Sequence, residues 1–244
     1  MSRSWPSVLS RFVEGVQHLV WPPRCLTCDA PTAGDYFCTD CVSSLTTDHP
    51  HRCVFCAGSV GPHADATAPC LRCPKAKYAF GSAVRFGLYA DAVRRVVLQM
   101  KQPEGELLAF RLGELWATHR RDELLATRPQ VIVPVPLHWR RRWRRGYNQA
   151  EELARGLART LGLPLAAHAL CRRRATDLQA NQSATARWDN VKDVFAVRSA
   201  AGVRGLRVLL VDDVLTTGAT CHYAARALSQ AGAAQVHAAV VAHR

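Results

Sequence analysis

Asp212 and Asp213 stand side by side behind a four-residue apolar run, Val208 to Val211, and the turn Thr216-Thr217-Gly218-Ala219-Thr220 follows. Adjacent carboxylates accept hydrogen bonds from adjacent hydroxyls, such as those of a ribose. A turn of small and hydroxyl residues opening a helix presents free N–H groups and the positive end of the helix dipole, which suits a phosphate. Carboxylates repel that phosphate, so the two halves of the motif must serve different parts of one ligand. A phosphorylated sugar satisfies both. The competing reading is an ordinary strand–turn–helix with a solvated acidic pair, and the ordered thirteen-residue pattern from Val208 to Thr220 argues against it.

A second chemistry is written in the cysteines. Eight of the ten lie between residues 25 and 73 as four C-x-x-C pairs: Cys25/Cys28, Cys38/Cys41, Cys53/Cys56 and Cys70/Cys73. One such pair points two thiolates at a common point, and two pairs complete the tetrahedral S₄ set that zinc prefers. The simplest assignment is two structural Zn²⁺ sites built from neighbouring pairs; interleaved pairing is equally compatible with the spacing. Disulfides do not suit a chain without an export signal, and iron–sulfur motifs draw their cysteines closer together. Four thiolates leave no open position for water, so these sites serve folding and not hydrolysis. Cys171 and Cys221 fall outside the array and are expected to serve plain packing, with a thiol of lowered pKa as the alternative for Cys221, which opens the last helix beside the turn.

A third candidate is the run Arg140, Arg141, Arg142, Arg144 and Arg145, interleaved with Trp139 and Trp143. Guanidinium groups grip diphosphate oxygens as planar forks and stack on bases. Two uses compete, holding the diphosphate of a sugar donor or holding a single nucleic-acid strand, and different arginines can serve each. The bland alternative is a solvated basic loop.

These groups need elements to position them. Residues 1–24 carry an apolar stripe (Val8, Leu9, Phe12, Val13, Val16, Leu19, Val20) at helical spacing, expected as an amphipathic helix docked on the protein itself, with a membrane-surface or partner helix as the alternative. Residues 25–78 form the cysteine domain, and 79–244 alternate strand and helix patterns. Strands are expected over Phe80–Tyr89, Val131–Pro136, Val194–Val197, the motif strand and Gln235–Val241. Helices are expected over Ala90–Lys101, Gly105–Ala126, Asn148–Leu161, Ser183–Val191 and Cys221–Gln230. The prolines of Val131-Ile-Val-Pro-Val-Pro136 put that strand at an edge or place themselves at its end. Alternating strands and helices predict an α/β fold with a doubly wound, mostly parallel sheet, preceded by the small cysteine domain. Asp212 and Asp213 would then sit where their strand emerges at its carboxyl end, as ligands of open α/β sheets do.

The segment from Val208 to Thr220 resembles the phosphoribosyl-pyrophosphate motif of type I phosphoribosyltransferases. The order Pro134-Val-Pro-Leu137, Arg145-Gly-Tyr-Asn-Gln149, Gln179, Arg187, Asn190-Val191 and Phe195, then the aspartate pair and its turn, resembles the competence-associated ComF family, and so do the four cysteine pairs ahead of it. The likeness runs from about Cys25 to the C-terminus. It implies a type I phosphoribosyltransferase fold behind a double zinc ribbon, a role in DNA uptake, and cooperation with a DNA-translocating ATPase. Carried over, Asp212 and Asp213 hold the ribose of phosphoribosyl pyrophosphate, bound with Mg²⁺. Thr216, Thr217, Gly218, Ala219 and Thr220 cradle its 5′-phosphate, and Arg145 acts with the two acids in catalysis. One departure concerns Lys101, which is followed by Gln-Pro-Glu-Gly-Glu where the family has a short Gly-Asp turn. A base-recognition hood, if present, is expected from the N-terminal half, because the sequence ends at Arg244 directly behind its last strand.

Composition narrows the classes further. With 48% hydrophobic and 21% charged residues the chain is neither a disordered tail nor a membrane protein. No apolar run approaches the ~20 residues of a membrane span, and Arg11, Glu14, Gln17 and His18 break any signal-peptide pattern. A cytoplasmic location is the default. A formal charge of +13 makes polyanion partners plausible, single-stranded DNA among them. Two functional readings result: a transferase-type protein that binds phosphoribosyl pyrophosphate, or a catalytically inactive adaptor that binds single-stranded DNA and senses the same sugar phosphate.

Overall fold

The computed structural model describes residues 23–65, 68–71, 73, 78–174 and 184–244, without the side chains of 184–187. The expected N-terminal stripe from Val8 to Val20 lies outside the described residues, as do Gln179 and the side chain of Arg187. The chain divides into two compact units between Ser44 and Leu45.

The smaller unit contains the first cysteine quartet. Its knuckle turns at Asp29, φ +61°, where the Asp29 amide donates to the Cys25 carbonyl at 2.9 Å and the Cys25 amide to Ala30 at 2.8 Å. Helix α1 (Thr39–Thr46) carries Cys41 one turn beyond Cys38.

The second quartet belongs to the larger unit and repeats that turn: Ala57 stands at φ +60°, with its amide on Cys53 at 2.7 Å and the Cys53 amide on Gly58 at 2.8 Å. It is fastened to the first sheet strand, β1 (Ala83–Leu88), where the Ala83 amide meets the Val54 carbonyl at 3.0 Å. Arg85 of β1 is fully buried. Its Nε and Nη2 donate to the two oxygens of Asp48 at 3.0 and 2.9 Å, and Nη1 donates to the Ala57 carbonyl at 2.7 Å. A buried guanidinium is tolerated because every face of it is answered.

Onward from β1 come α2 (Asp91–Gln99), a 3₁₀ turn (Pro103–Gly105), α3 (Glu106–His119), α4 (Arg121–Ala126), β2 (Val131–Pro134), α5 (Trp139–Arg145) and α6 (Gln149–Leu161). Then follow β3 (Leu170–Arg172), α7 (Ala184–Val191), β4 (Phe195–Val197), β5 (Arg207–Leu215), α8 (Ala219–Gln230) and β6 (Gln235–His243). Four strands form one sheet in the order β1-β6-β5-β2, every pair parallel. Parallel strands are covered on both faces, hence the near-continuous apolar runs of β5 and β6. On one face Val133, Val208, Leu210, Ala238 and Val240 pack with Ala224 and Leu228 of α8 and Phe195 of β4. The alternate residues Ile132, Leu209, Val211, Ala239 and Val241 are equally buried and point to the opposite face. There α6 lies on β2 and β5, with α3 packed against it. The two helices cross at Gly113 and Gly156, where a Cβ on either would run into the other helix's backbone.

The architecture agrees with the parallel α/β expectation, and β2 is an edge strand as its prolines require. Four details differ. The helix expected over Gly105–Ala126 breaks at Arg120 (φ −122°, ψ 27°) into α3 and α4. The arginine run is a short helix, not a loop, capped by His138 at its start and by Gly146 at φ +88°. The strand near Val194 pairs with an unforeseen antiparallel partner, β3. Finally, β5 does not end at the aspartates but continues to Leu215. The acids still reach open space, because β2 stops pairing at Val211 while β6 carries on through Leu215.

Candidate functional site

The carboxyl edge of the sheet opens into a cavity of about 390 Å³ whose lining includes Asp212, Asp213, Thr216, Thr220, Arg141 and Arg145, all singled out by sequence. Thr217, Gly218 and Ala219 line an adjoining hollow of about 40 Å³, shared with Thr216 and Thr220. The turn is built for close approach. Gly218 is left-handed at φ +76°, a conformation open to glycine, and caps α8 with its carbonyl accepting from the His222 amide at 2.8 Å. The first amides of α8 therefore face the hollow without intrahelical partners.

Both acids are nearly buried, Asp212 at 8% and Asp213 at 9% exposure. Asp212 accepts from the Asp213 amide at 2.9 Å. Burial, reinforced by the charge of Asp213, pushes its carboxyl up to about 8. Asp213 is held by Gln149 Nε2 at 2.9 Å and by Lys101 Nζ at 3.1 Å. Arg145 in turn donates to Gln149 Oε1, so a relay runs from guanidinium to amide to carboxylate.

The segment Arg145-Gly-Tyr-Asn-Gln149 explains itself here. Gly146 ends α5, and Tyr147 is buried with its hydroxyl on the carbonyls of Met100 and Gln102, which brackets Lys101. Asn148 caps α6, accepting from the Ala150 amide at 3.2 Å, and donates to the Val135 carbonyl at 3.0 Å. Gln149 then reaches the acid. Lys101, whose surrounding turn departs from the family pattern, nonetheless sits on Asp213.

The structure sorts the arginines. Arg141 and Arg145 line the cavity. Arg142 is committed to the buried Glu151 at 3.1 Å. Arg140 and Arg144 are exposed beside Trp139 and Trp143, with the Arg140 guanidinium 5.3 Å from the Trp139 ring. Sequence reasoning missed two further cavity cations, Arg172 and Arg244. The run Arg172-Arg173-Arg174 was the available signal for the first. Burial, with Arg141 nearby, lowers the Arg172 pKa to about 10. Five cations thus converge on one cavity with two acids, a balance of charge that suits an anionic ligand.

The eight cysteines form two quartets, Cys25/Cys28/Cys38/Cys41 and Cys53/Cys56/Cys70/Cys73, which resolves the pairing in favour of neighbours. Within each, the sulfurs lie within 4.8 Å of one another. The separations of 3.7 Å (Cys28–Cys38), 3.8 Å (Cys53–Cys73), 3.6 Å (Cys56–Cys70) and 3.9 Å (Cys70–Cys73) match the ~3.8 Å edge of a tetrahedron with Zn–S of ~2.3 Å. The donor set fits structural zinc. Cys221 is buried, as expected of a packing residue.

Comparison with known proteins agrees with both parts. Residues 107–244 match the phosphoribosyl transferase domain and residues 16–75 the double zinc ribbon domain. A DNA utilization protein, YhgH, of Salmonella typhimurium is 33% identical over 226 residues, covering 89% of this chain and 96% of that one. Its counterpart in Escherichia coli K12 is 33% identical over 223 residues, with the same coverage. Competence protein F of Haemophilus influenzae is 29% identical over 219 residues, covering 87% and 93%. Similarity of this extent, running through ribbons and sheet alike, means that the chain belongs to the ComF family, a phosphoribosyltransferase domain behind a double zinc ribbon.

Proposed function

We propose that the cavity binds phosphoribosyl pyrophosphate and that the protein is a phosphoribosyltransferase-type protein working in DNA uptake or use. The observation that carries this reading is the meeting, in one cavity, of two buried carboxylates, a helix-opening turn and five cations. Asp212 and Asp213 accept the ribose hydroxyls, and Thr216 to Thr220 cradle the 5′-phosphate. Arg145, steadied by Gln149, faces the diphosphate together with Arg141 and Lys101. Catalysis in such a site is positioning plus electrostatic stabilisation of the departing diphosphate, with Asp212, Asp213 and Arg145 as its catalytic residues. The paired carboxylates are the oxygen donors a hard cation needs. Mg²⁺ held near them with the diphosphate would supply further neutralisation of the leaving charge. The names of the relatives, a DNA utilization protein and a competence protein, support the DNA role. Cysteine quartets that must stay reduced to bind metal fit a cytoplasmic setting.

A second reading rests on a different observation. Trp139 and Trp143 are 64% and 85% exposed, alternating with the exposed Arg140 and Arg144. Exposed rings and guanidinium groups make a stacking and phosphate-binding strip for single-stranded DNA. The protein would then be an adaptor that senses the sugar phosphate without consuming it. A DNA-translocating ATPase is the expected partner in either reading.

Calorimetric titration with phosphoribosyl pyrophosphate and Mg²⁺ tests the first reading. Binding is expected in the wild type and absent in Asp212→Asn/Asp213→Asn; no binding to folded, zinc-loaded protein overturns it. For the second, Arg140→Ala/Arg144→Ala should lower the salt slope of single-strand binding by about 0.7 for each DNA phosphate the two arginines neutralise and leave the sugar-phosphate titration unchanged. An unchanged slope removes the strip from the interface.

A further inference from the structure

The phosphate turn has a neighbour that the proposed chemistry leaves unused. Tyr78 follows Cys73 by five residues in sequence and lies directly on the turn. Its hydroxyl donates to the Thr217 carbonyl at 3.3 Å, and its ring covers the side of Gly218 where any side chain would collide with it. In a trans peptide the carbonyl and the following N–H point in opposite directions. Holding the Thr217 carbonyl toward Tyr78 therefore turns the Gly218 N–H away from the ring, into the turn. The next residue helps: the Ala79 amide donates to His222 Nδ1 at 3.1 Å, and the His222 amide donates to the Gly218 carbonyl at 2.8 Å.

On its other side Tyr78 is anchored to the second cysteine quartet. Its ring stacks on Phe80 with centroids 4.5 Å apart. Phe80 and Ala57, the residue after Cys56, share one apolar cluster with Leu215 and Cys221, which flank the turn, and Tyr78 packs against that cluster. A second strut leads to the same place. Gly58 donates its amide to Cys56 Sγ at 3.4 Å and packs against His243 of β6. The residue after His243, Arg244, lines the cavity and donates its amide to the Leu215 carbonyl at 3.0 Å.

We propose that Tyr78 is a positioning residue through which the metal-loaded quartet Cys53/Cys56/Cys70/Cys73 holds the turn Thr216–Thr220 in its phosphate-accepting shape. This rests on the reading of that turn as a phosphate site, and it makes sugar-phosphate affinity depend on the metal of a ribbon that never touches the ligand. The ring supplies most of the effect and the hydroxyl the remainder.

The test uses the full-length chain with Tyr78→Phe, Tyr78→Leu and Cys53→Ser/Cys56→Ser, each assayed for zinc and melting temperature. Two readouts are taken: ligand-free hydrogen exchange of the amides from Thr216 to His222, and calorimetric affinity for ribose 5-phosphate. Tyr78→Leu should keep zinc in both quartets and remain folded with a melting temperature lowered by only about 2–8 °C, yet speed exchange in that stretch and weaken ribose 5-phosphate by about tenfold. Tyr78→Phe should largely rescue both, losing about threefold, the worth of one hydrogen bond. The serine pair should reproduce the faster exchange without any change at Tyr78. Wild-type exchange rates in both the leucine variant and the serine pair overturn the proposal. A wild type that ignores ribose 5-phosphate refutes the phosphate reading instead, while the exchange result still decides the role of Tyr78.

Discussion

The buried pair Arg85–Asp48 should be the most sensitive joint between the second ribbon and the sheet. Arg85 is fully buried and the Asp48 side chain is 1% exposed, joined by two hydrogen bonds at 2.9 and 3.0 Å. Removing one partner strands the other charge in the interior, at a cost of about 3–5 kcal/mol. Asp48→Leu is expected to lose that much and Arg85→Met to lie at or below the lower end, which for a chain of this size is roughly 6–20 °C in melting temperature for the former. In Arg85→Met the Asp48 carboxylate keeps Arg52 at 3.6 Å, whereas Asp48→Leu leaves the buried Arg85 without a counter-charge while Arg52 keeps Glu123 at 2.8 Å, so Asp48→Leu should be the costlier of the two. The double variant leaves no buried charge. Its remaining liability is the Ala57 carbonyl, deprived of the 2.7 Å bond from Arg85 at about 1–3 kcal/mol. It should therefore be more stable than either single variant. Calorimetric and urea unfolding of the zinc-loaded protein across this double-mutant cycle is the assay. Single-variant losses below about 1 kcal/mol, the range of an exposed pair, would refute the reasoning.

Two further predictions concern the site and its scaffold. Because burial and Asp213 raise Asp212 to about 8, the folded protein holds that proton more tightly than the unfolded chain at about 3.9. The stabilisation is therefore complete below about pH 4 and lost as pH rises through about 8; with zinc release at low pH common to both proteins, the urea midpoint of wild type relative to Asp212→Asn should fall across this window, and a constant difference would exclude the assignment. Gly156→Ala places a methyl against the Phe110 carbonyl of α3 and should cost about 1–3 kcal/mol in urea unfolding, although alanine is intrinsically the better helix former by about 1 kcal/mol; a stabilised variant would refute the close crossing.

The sequence alone determined whatever depends on local order along the chain. Four C-x-x-C pairs require tetrahedral thiolate sites because each pair is already a two-ligand turn. Val208 to Thr220 is a buried strand, acids, turn and helix in succession, and the structure keeps that succession, shifting only the strand end to Leu215. The proline-bearing run at Val131 announces an edge strand or a strand end because proline cannot donate to a ladder, and the structure shows both: β2 is outermost and Pro134 closes it. What stayed hidden depends on residues far apart in sequence. Lys101, Gln149 and Asp213 come from a turn, a helix and a strand far apart in sequence, and no spacing says that they touch. The five arginines of α5 look alike in sequence; only the way the helix lies separates Arg141 and Arg145, on the cavity, from Arg142 on Glu151 and from the exposed Arg140 and Arg144. Arg85 reads as a charge in an apolar strand until Asp48 and Ala57 are brought to it, and Tyr78 reads as the last residue of the cysteine domain until it lands on Gly218. Local chemistry is set by covalent neighbours, whereas burial, pairing and charge regulation are set by which surfaces meet, and only the packed tertiary structure decides that.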